Sequence, residues 1–165
     1  MAAVRGRHLR WVRLVAQRLV GEPFDTASEV VDHLTCVQAQ DFAQARPAVA
    51  LRNRTRSVDV VHTALADATV VRSWPMRGTL HLVPAVDLGW MLDLTRGKMA
   101  RAAASVHTEL GLTPGLGAEI AELTERLLAG RGLTRTELIA AWRAAGHDLP
   151  GPLASHLIGS LATER

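Results

Sequence analysis

The sequence predicts a mainly α protein with a small β-hairpin, laid out as a tandem winged helix (helix-turn-helix with wing) whose second unit is incomplete. Three observations predict it. Apolar residues recur at helical spacing through most of the chain, the period switches to alternation over Thr69 to Val83, and after Pro114 the helical spacing resumes with no second alternating stretch before Arg165. Short helices followed by a hairpin are the order of elements in a winged helix.

Taken in order, Trp11, Val12, Val15, Ala16 and Leu19 make one helical stripe, with Arg10, Arg13 and Gln17 on the opposite face. Gly21 and Pro23 end that helix. Thr26 with Glu29 three residues later is a capping box for a second helix carrying Val30, Val31 and Leu34. Pro47 prefers a first turn, so a third helix is expected from about Ala43 to Asn53, and Ser57 then caps a fourth that buries Val58, Val61 and Leu65. Thr69–Trp74 and Thr79–Val83 read as strands joined by Pro75-Met76-Arg77-Gly78. Pro84 opens a helix with Leu88, Met91, Leu92, Met99, Ala102, Ala103, Val106 and Leu110 on one face, stopped by Gly111 and Pro114. Beyond it, Ile120, Leu123, Leu127 and Leu128 point inward from a helix closed by Gly130. Thr134 and Glu137 form another capping box ahead of Leu138, Ala141, Trp142 and Ala145, and Leu153, Leu157 and Leu161 mark a last helix with Ser155, His156, Ser160 and Arg165 outward. The expected organisation is a winged helix over 5–83, a connecting helix over 84–112 and a partial second winged helix over 116–165 that lacks its wing.

Composition narrows the class. With 48% hydrophobic and 21% charged residues the chain should fold as an ordinary globular protein. Asp87 and Asp93 interrupt the most apolar stretch, so no membrane span is expected. The cations Arg5, Arg7, Arg10 and Arg13 precede no continuous apolar segment, so no secretory signal is expected and the predicted location is the cytoplasm, in association with the nucleoid. Cys36 is the only cysteine; His33 lies three residues before it, but two ligands do not make a site, and no metal is expected. The net charge is +3, and all but one of the 19 cations are arginine, Lys98 being the exception. Residues 1–60 hold nine arginines against six acids, which places any polyanion-binding surface in the first half. Arginine suits that role because its planar fork binds phosphate through two hydrogen bonds. The acid-free series Arg46, Arg52, Arg54 and Arg56 is the leading set of DNA-backbone contacts, with Arg72 and Arg77 of the hairpin added to it.

Familiar catalytic patterns are missing. There is no phosphate-binding glycine loop, Gly115-Leu116-Gly117 reads as a helix entry, and Ser155-His156 has no orienting acid. Two segments stand apart: Val37-Gln38-Ala39-Gln40-Asp41, and Arg72-Ser73-Trp74-Pro75-Met76-Arg77-Gly78-Thr79-Leu80-His81-Leu82-Val83. His81 alternates with Leu80 and Leu82 and reads as a structural hydrogen-bonding residue.

With Arg13 to Leu19 before them and Pro84-Ala85-Val86-Asp87-Leu88 after, these segments resemble the AlkZ-like family of winged-helix DNA glycosylases. The resemblance runs over the whole chain and is most specific in Trp-Pro-Met-Arg-Gly-Thr-Leu-His and Gln-Ala-Gln. It implies the N-terminal part of a protein in which tandem winged helices form a concave surface for double-stranded DNA, with the second wing and the third unit missing here. It also implies that Gln38 and Gln40 are the catalytic pair, holding the attacking water and the sugar of an alkylated or crosslinked purine nucleotide. An alkylated purine is already a cationic leaving group, so its departure needs positioning more than a strong base, and neutral carboxamides suffice. Asp41, next in sequence, is a further candidate for charge stabilisation, but the carboxamides are what match the family. Lys98, with no motif around it, makes an unconvincing Schiff-base nucleophile, so a monofunctional reaction without cofactor is expected. The alternative is a non-catalytic winged-helix DNA-binding protein such as a transcriptional regulator, which would present polar side chains on a groove-entering helix.

Overall fold

The computed structural model describes residues 6–163 as a mainly helical protein with a small antiparallel sheet, in two compact units that meet in sequence between Met91 and Leu92. The expected cations Arg5 and Arg165, and the side chain of Arg7, lie outside the described residues.

In the first unit α1 spans Gly6–Ala16, α2 Ala27–Leu34, α3 Phe42–Ala50 and α4 Asp59–Ala66. The Thr26–Glu29 capping box forms as expected, with Glu29 N donating to Thr26 Oγ1 at 3.2 Å and Thr26 N to Glu29 Oε2 at 3.0 Å. Helix α1 departs from expectation. It stops at Ala16, ahead of Arg18 at a left-handed φ of 51°, and its end is tied down: His33 Nε2 donates to the Ala16 carbonyl and Arg52 to that of Gln17. The apolar stripe of Trp11, Val12, Val15 and Leu19, opposite the basic face, is exposed. Helix α3 begins one residue before the expected Ala43 because the Asp41 carboxylate accepts from Gln44 N at 3.2 Å, and Pro47 falls inside the helix, near its end. At α4 the Ser57 hydroxyl accepts from Asp59 N at 3.1 Å, and burial falls on Val61 and Ala64, leaving Val58 and Leu65 half-buried.

The sheet has the order β1-β3-β2, with β1 Val37–Gln38, β2 Val70–Met76 and β3 Thr79–Pro84. Strand β2 runs further than the sequence predicted and contains the buried Pro75. Proline has no N–H for a ladder, and the sheet accommodates it because β2 is an edge strand whose register shifts between Ser73 and Met76. The turn is correspondingly short, Arg77 and Gly78, both at positive φ (57° and 67°), as a two-residue hairpin loop requires. Strand β1 was not expected. It pairs antiparallel with β3, Val37 with Leu82 and Gln38 with His81. Val30, Val31, Ala39, Val49, Val61, Val70 and Leu82 form the core between helices and sheet.

The chain continues through a 3-10 turn, Ala85–Asp87, into α5, Leu88–Glu109, so the helix begins later than Pro84. In the second unit α6 (Pro114–Leu128), α7 (Arg135–Ala144) and α8 (Gly151–Leu161) enclose Ile120, Leu138, Trp142, Ala154 and Leu157. Trp142 is fully buried and donates its indole N–H to Thr124 Oγ1 at 2.9 Å. Ser160, expected on the outward face, is instead buried and hydrogen-bonded with His107 Nε2 at 3.2 Å. No helix among the described residues is long and apolar enough to cross a membrane.

Gly78→Ala should lower the stability of the chain by about 1–2 kcal/mol, the cost of a Cβ in the left-handed region. Chemical denaturation followed by circular dichroism measures it; no loss would mean that the turn relaxes out of that conformation.

Candidate active site

Strand β1 carries the first of the two glutamines, and the chain then turns away from the sheet through Ala39 and Gln40 into the N-cap of α3 at Asp41. Gln38, Gln40, Asp41, Gln44, Ala45 and Ala48 line an open depression of about 330 Å³. The two glutamines are exposed while Ala39 between them is completely buried, so the side chain that separates them anchors the segment in the core. Gln44 was not singled out in the sequence; its spacing of four from Gln40 across a helix start is the signal that would have found it. The depression thus offers three neutral carboxamides and one carboxylate, Asp41, one of whose oxygens already caps α3.

Several bonds fix the segment. Ala39 N donates to the Leu80 carbonyl at 2.8 Å, and Leu80 N donates to the Gln40 side-chain oxygen at 3.0 Å. The Arg72 guanidinium donates to the Ala39 carbonyl from Nε at 3.0 Å and from Nη2 at 2.8 Å, and to the Gln40 carbonyl at 3.3 Å. It also lies over the Phe42 ring, 5.2 Å from the centroid. On the sheet, Gln38, His81 and Ser73 occupy one cross-strand row. His81 is buried, and its Nδ1 lies 2.9 Å from the Thr79 carbonyl, which can only accept; the proton is therefore on Nδ1. That contact agrees with the structural role read from the sequence.

The structure divides the six candidate arginines. Arg52 is buried, donating to the Gln17 carbonyl at 2.6 Å, the Ala48 carbonyl at 2.5 Å and Gln17 Oε1 at 3.2 Å, so its guanidinium closes the end of α1 onto α3 and is not available to a phosphate. Burial pushes its pKa down, because the charged form loses water. Arg72 is turned onto the glutamine segment. Arg54 pairs with Asp25 at 2.8 Å, which holds its pKa above the usual value. Arg46 packs 5.4 Å from the Phe42 ring centroid with Nη1 3.0 Å from His62 Nε2. Arg56 and Arg77 are exposed, and among the described residues neither guanidinium has a partner.

Among the described residues no group of three or more His, Cys, Asp and Glu side chains is placed to hold a metal ion. Burial pushes the Cys36 thiol pKa up, which disfavours the thiolate.

Comparison with known proteins matches residues 31–165 to the family described as DNA glycosylase AlkZ-like. This match begins after α1 and so is narrower than the whole-chain resemblance. The chain is 35% identical over 127 residues to an interstrand DNA cross-link repair glycosylase of Streptomyces sahachiroi, covering 77% of this chain and 34% of that protein. It superposes on the solved structure of the Streptomyces sahachiroi DNA glycosylase AlkZ with a TM-score of 0.73 at 30% identity, over 91% of this chain and 42% of the other. The chain therefore spans about a third of the length of that curated relative.

Arg52→Ala should destabilise the first unit by about 2 kcal/mol or more, because it removes charge-assisted bonds and strands the Gln17 and Ala48 carbonyls. Arg56→Ala should leave stability within about 0.5 kcal/mol. Thermal unfolding of the two variants side by side reads the difference.

Proposed function

The chain belongs to the AlkZ-like DNA glycosylase family, and on that premise we propose that it binds double-stranded DNA and carries the reaction centre of a monofunctional glycosylase for alkylated or crosslinked purines. The observation that carries this reading is the depression of Gln38, Gln40, Asp41 and Gln44, exposed carboxamides on a segment anchored to the sheet.

The chemistry suits those groups. The N-glycosidic bond breaks with its electron pair passing to the cationic purine, which leaves neutral. The sugar becomes oxocarbenium-like, water adds to its C1′ carbon, and the water's proton is lost to solvent, leaving an abasic site. A carboxamide oxygen orients the water, a carboxamide N–H holds the sugar, and the Asp41 carboxylate favours the developing positive charge. A base in a duplex must be flipped out to reach such a site, and a damaged base leaves the stack more readily. Arg56 and Arg77 are the proposed phosphate contacts, with Arg46 and Arg54 as secondary ones.

The architecture proposed with this function is a winged helix over about residues 5–83, in which α2, α3, α4 and the β2–β3 hairpin correspond to its helices and wing. A connecting helix follows over 84–112, and 116–165 supply the helices of a second unit. The protein is proposed to act on nucleoid DNA in the cytoplasm. A regulator's groove-reading helix finds little support in α8, where Ser160 is buried and Ser155 is bonded to Arg135 and to the Gly151 carbonyl.

Base release from duplex DNA carrying N7-methylguanine tests the reading, with this chain compared with Gln38→Ala/Gln40→Ala and with the longest reading frame that contains it. The expected result is release that the double variant loses by about 100-fold or more. Release undiminished in the double variant, or none from either length of protein, overturns it.

A further inference from the structure

We propose that Arg72 is a positioning residue that ends strand β1 and thereby sets which atoms of Gln40 face the depression. The register explains how. Gln38 pairs with His81, so Ala39 and Leu80 stand opposite as the next pair. Pairs in an antiparallel ladder alternate between those that exchange both backbone hydrogen bonds and those that exchange none, and the bond from Ala39 N to the Leu80 carbonyl marks this pair as the first kind. Here only that one of the two bonds forms, at 2.8 Å.

The second is displaced. The Ala39 carbonyl, which stands opposite Leu80 N in that ladder, accepts from Arg72 instead, through Nε at 3.0 Å and Nη2 at 2.8 Å. Leu80 N donates instead to the Gln40 carboxamide oxygen at 3.0 Å. A side chain thus replaces a main-chain acceptor at the point where the guanidinium binds the Ala39 carbonyl and turns it off the ladder. Arg72 reaches the segment from β2, across the strand that separates it from β1, and its contact with the Phe42 ring at 5.2 Å holds the fork in place.

The consequence is an assignment of roles. With its oxygen occupied, Gln40 has its amide nitrogen left to offer, a donor suited to a sugar or ring oxygen. Gln38, with no side-chain bond to the protein among the described residues, keeps both ends of its carboxamide for water. Lysine replaces arginine only in part, because an ammonium lacks the planar fork whose Nε and Nη2 converge on the Ala39 carbonyl while Nη2 also reaches that of Gln40.

The effect on rate rests on the glycosylase reading, whereas the effect on Gln40 does not, so the test reads both. Arg72→Lys and Arg72→Met would be prepared in the full chain, with 15N relaxation of the Gln40 side-chain amide measured beside the amide protection of Val31 and Val83. The expected result is that Gln40 becomes as mobile as an unbonded glutamine in Arg72→Met and partly so in Arg72→Lys, with core protection kept. Single-turnover base release should fall about tenfold or more in Arg72→Met and less in Arg72→Lys. Affinity for undamaged duplex should stay within about twofold in Arg72→Lys.

An immobile Gln40 in both variants overturns the proposal. So does a loss of release matched by an equal loss of duplex affinity and a salt slope smaller by about one unit in Arg72→Met, the signature of a phosphate contact. If the unaltered chain and its longest reading frame release no base, the glycosylase reading fails, and the relaxation result alone decides the proposal.

Discussion

The pairing of β1 with β3 is the constraint on which the site depends. Two residues of strand would contribute little by themselves, but they are followed by Ala39, whose side chain is fully buried in the same core as Val30, Val31 and Leu82. Burial of apolar area at about 25 cal/mol per Å² sets the depth of the segment, and the bonds of Leu80 and Arg72 set its orientation. Exposed glutamines on an unanchored loop would sample many rotamers; here one of the two has its carboxamide oxygen bonded to the backbone of a central strand. A reaction that relies on positioning more than on acid or base strength needs that restriction.

The arginines show how misleading a charge count can be. Four of the six candidates for DNA contact have a protein partner: Arg52 bonds backbone carbonyls from within the core, Arg72 holds the glutamine segment, Arg54 answers Asp25, and Arg46 packs on Phe42 beside His62. The same property that suits arginine to phosphate, a planar fork of donors, suits it to paired carbonyls. Which use a given arginine serves depends on neighbours far away in sequence, Gln17 for Arg52 and Ala39 for Arg72, so local composition carries no sign of it.

Much of the fold was legible because it is written locally. The capping boxes Thr26–Glu29 and Thr134–Glu137 formed where their spacing placed them, and the change of period marked the hairpin. A two-residue strand has no period to detect, so nothing in the local sequence marks β1. Pro75 read as part of a turn because an edge strand with a shifted register is a tertiary circumstance. The stripe on α1 was recognised as helical, but amphipathicity does not say which surface, if any, covers it, and within these residues it stays exposed. Of the site, the resemblance pointed to Gln38 and Gln40; Gln44 and the positioning bonds required the fold.

The central claim is that Gln38 and Gln40 make up the reacting centre, the one at the water and the other at the sugar, and an NMR titration tests it most directly. The chain would be titrated with a duplex containing a cationic pyrrolidine abasic analogue, a mimic of the oxocarbenium sugar, and separately with plain duplex of the same sequence. Binding energy specific to the transition state should appear only with the mimic. The account predicts that the side-chain amide resonances of Gln38 and Gln40 shift with the mimic and much less with plain DNA, while Arg56 and Arg77 respond to both. Equal responses of the two glutamines to both duplexes, or changes that bypass them, would contradict it.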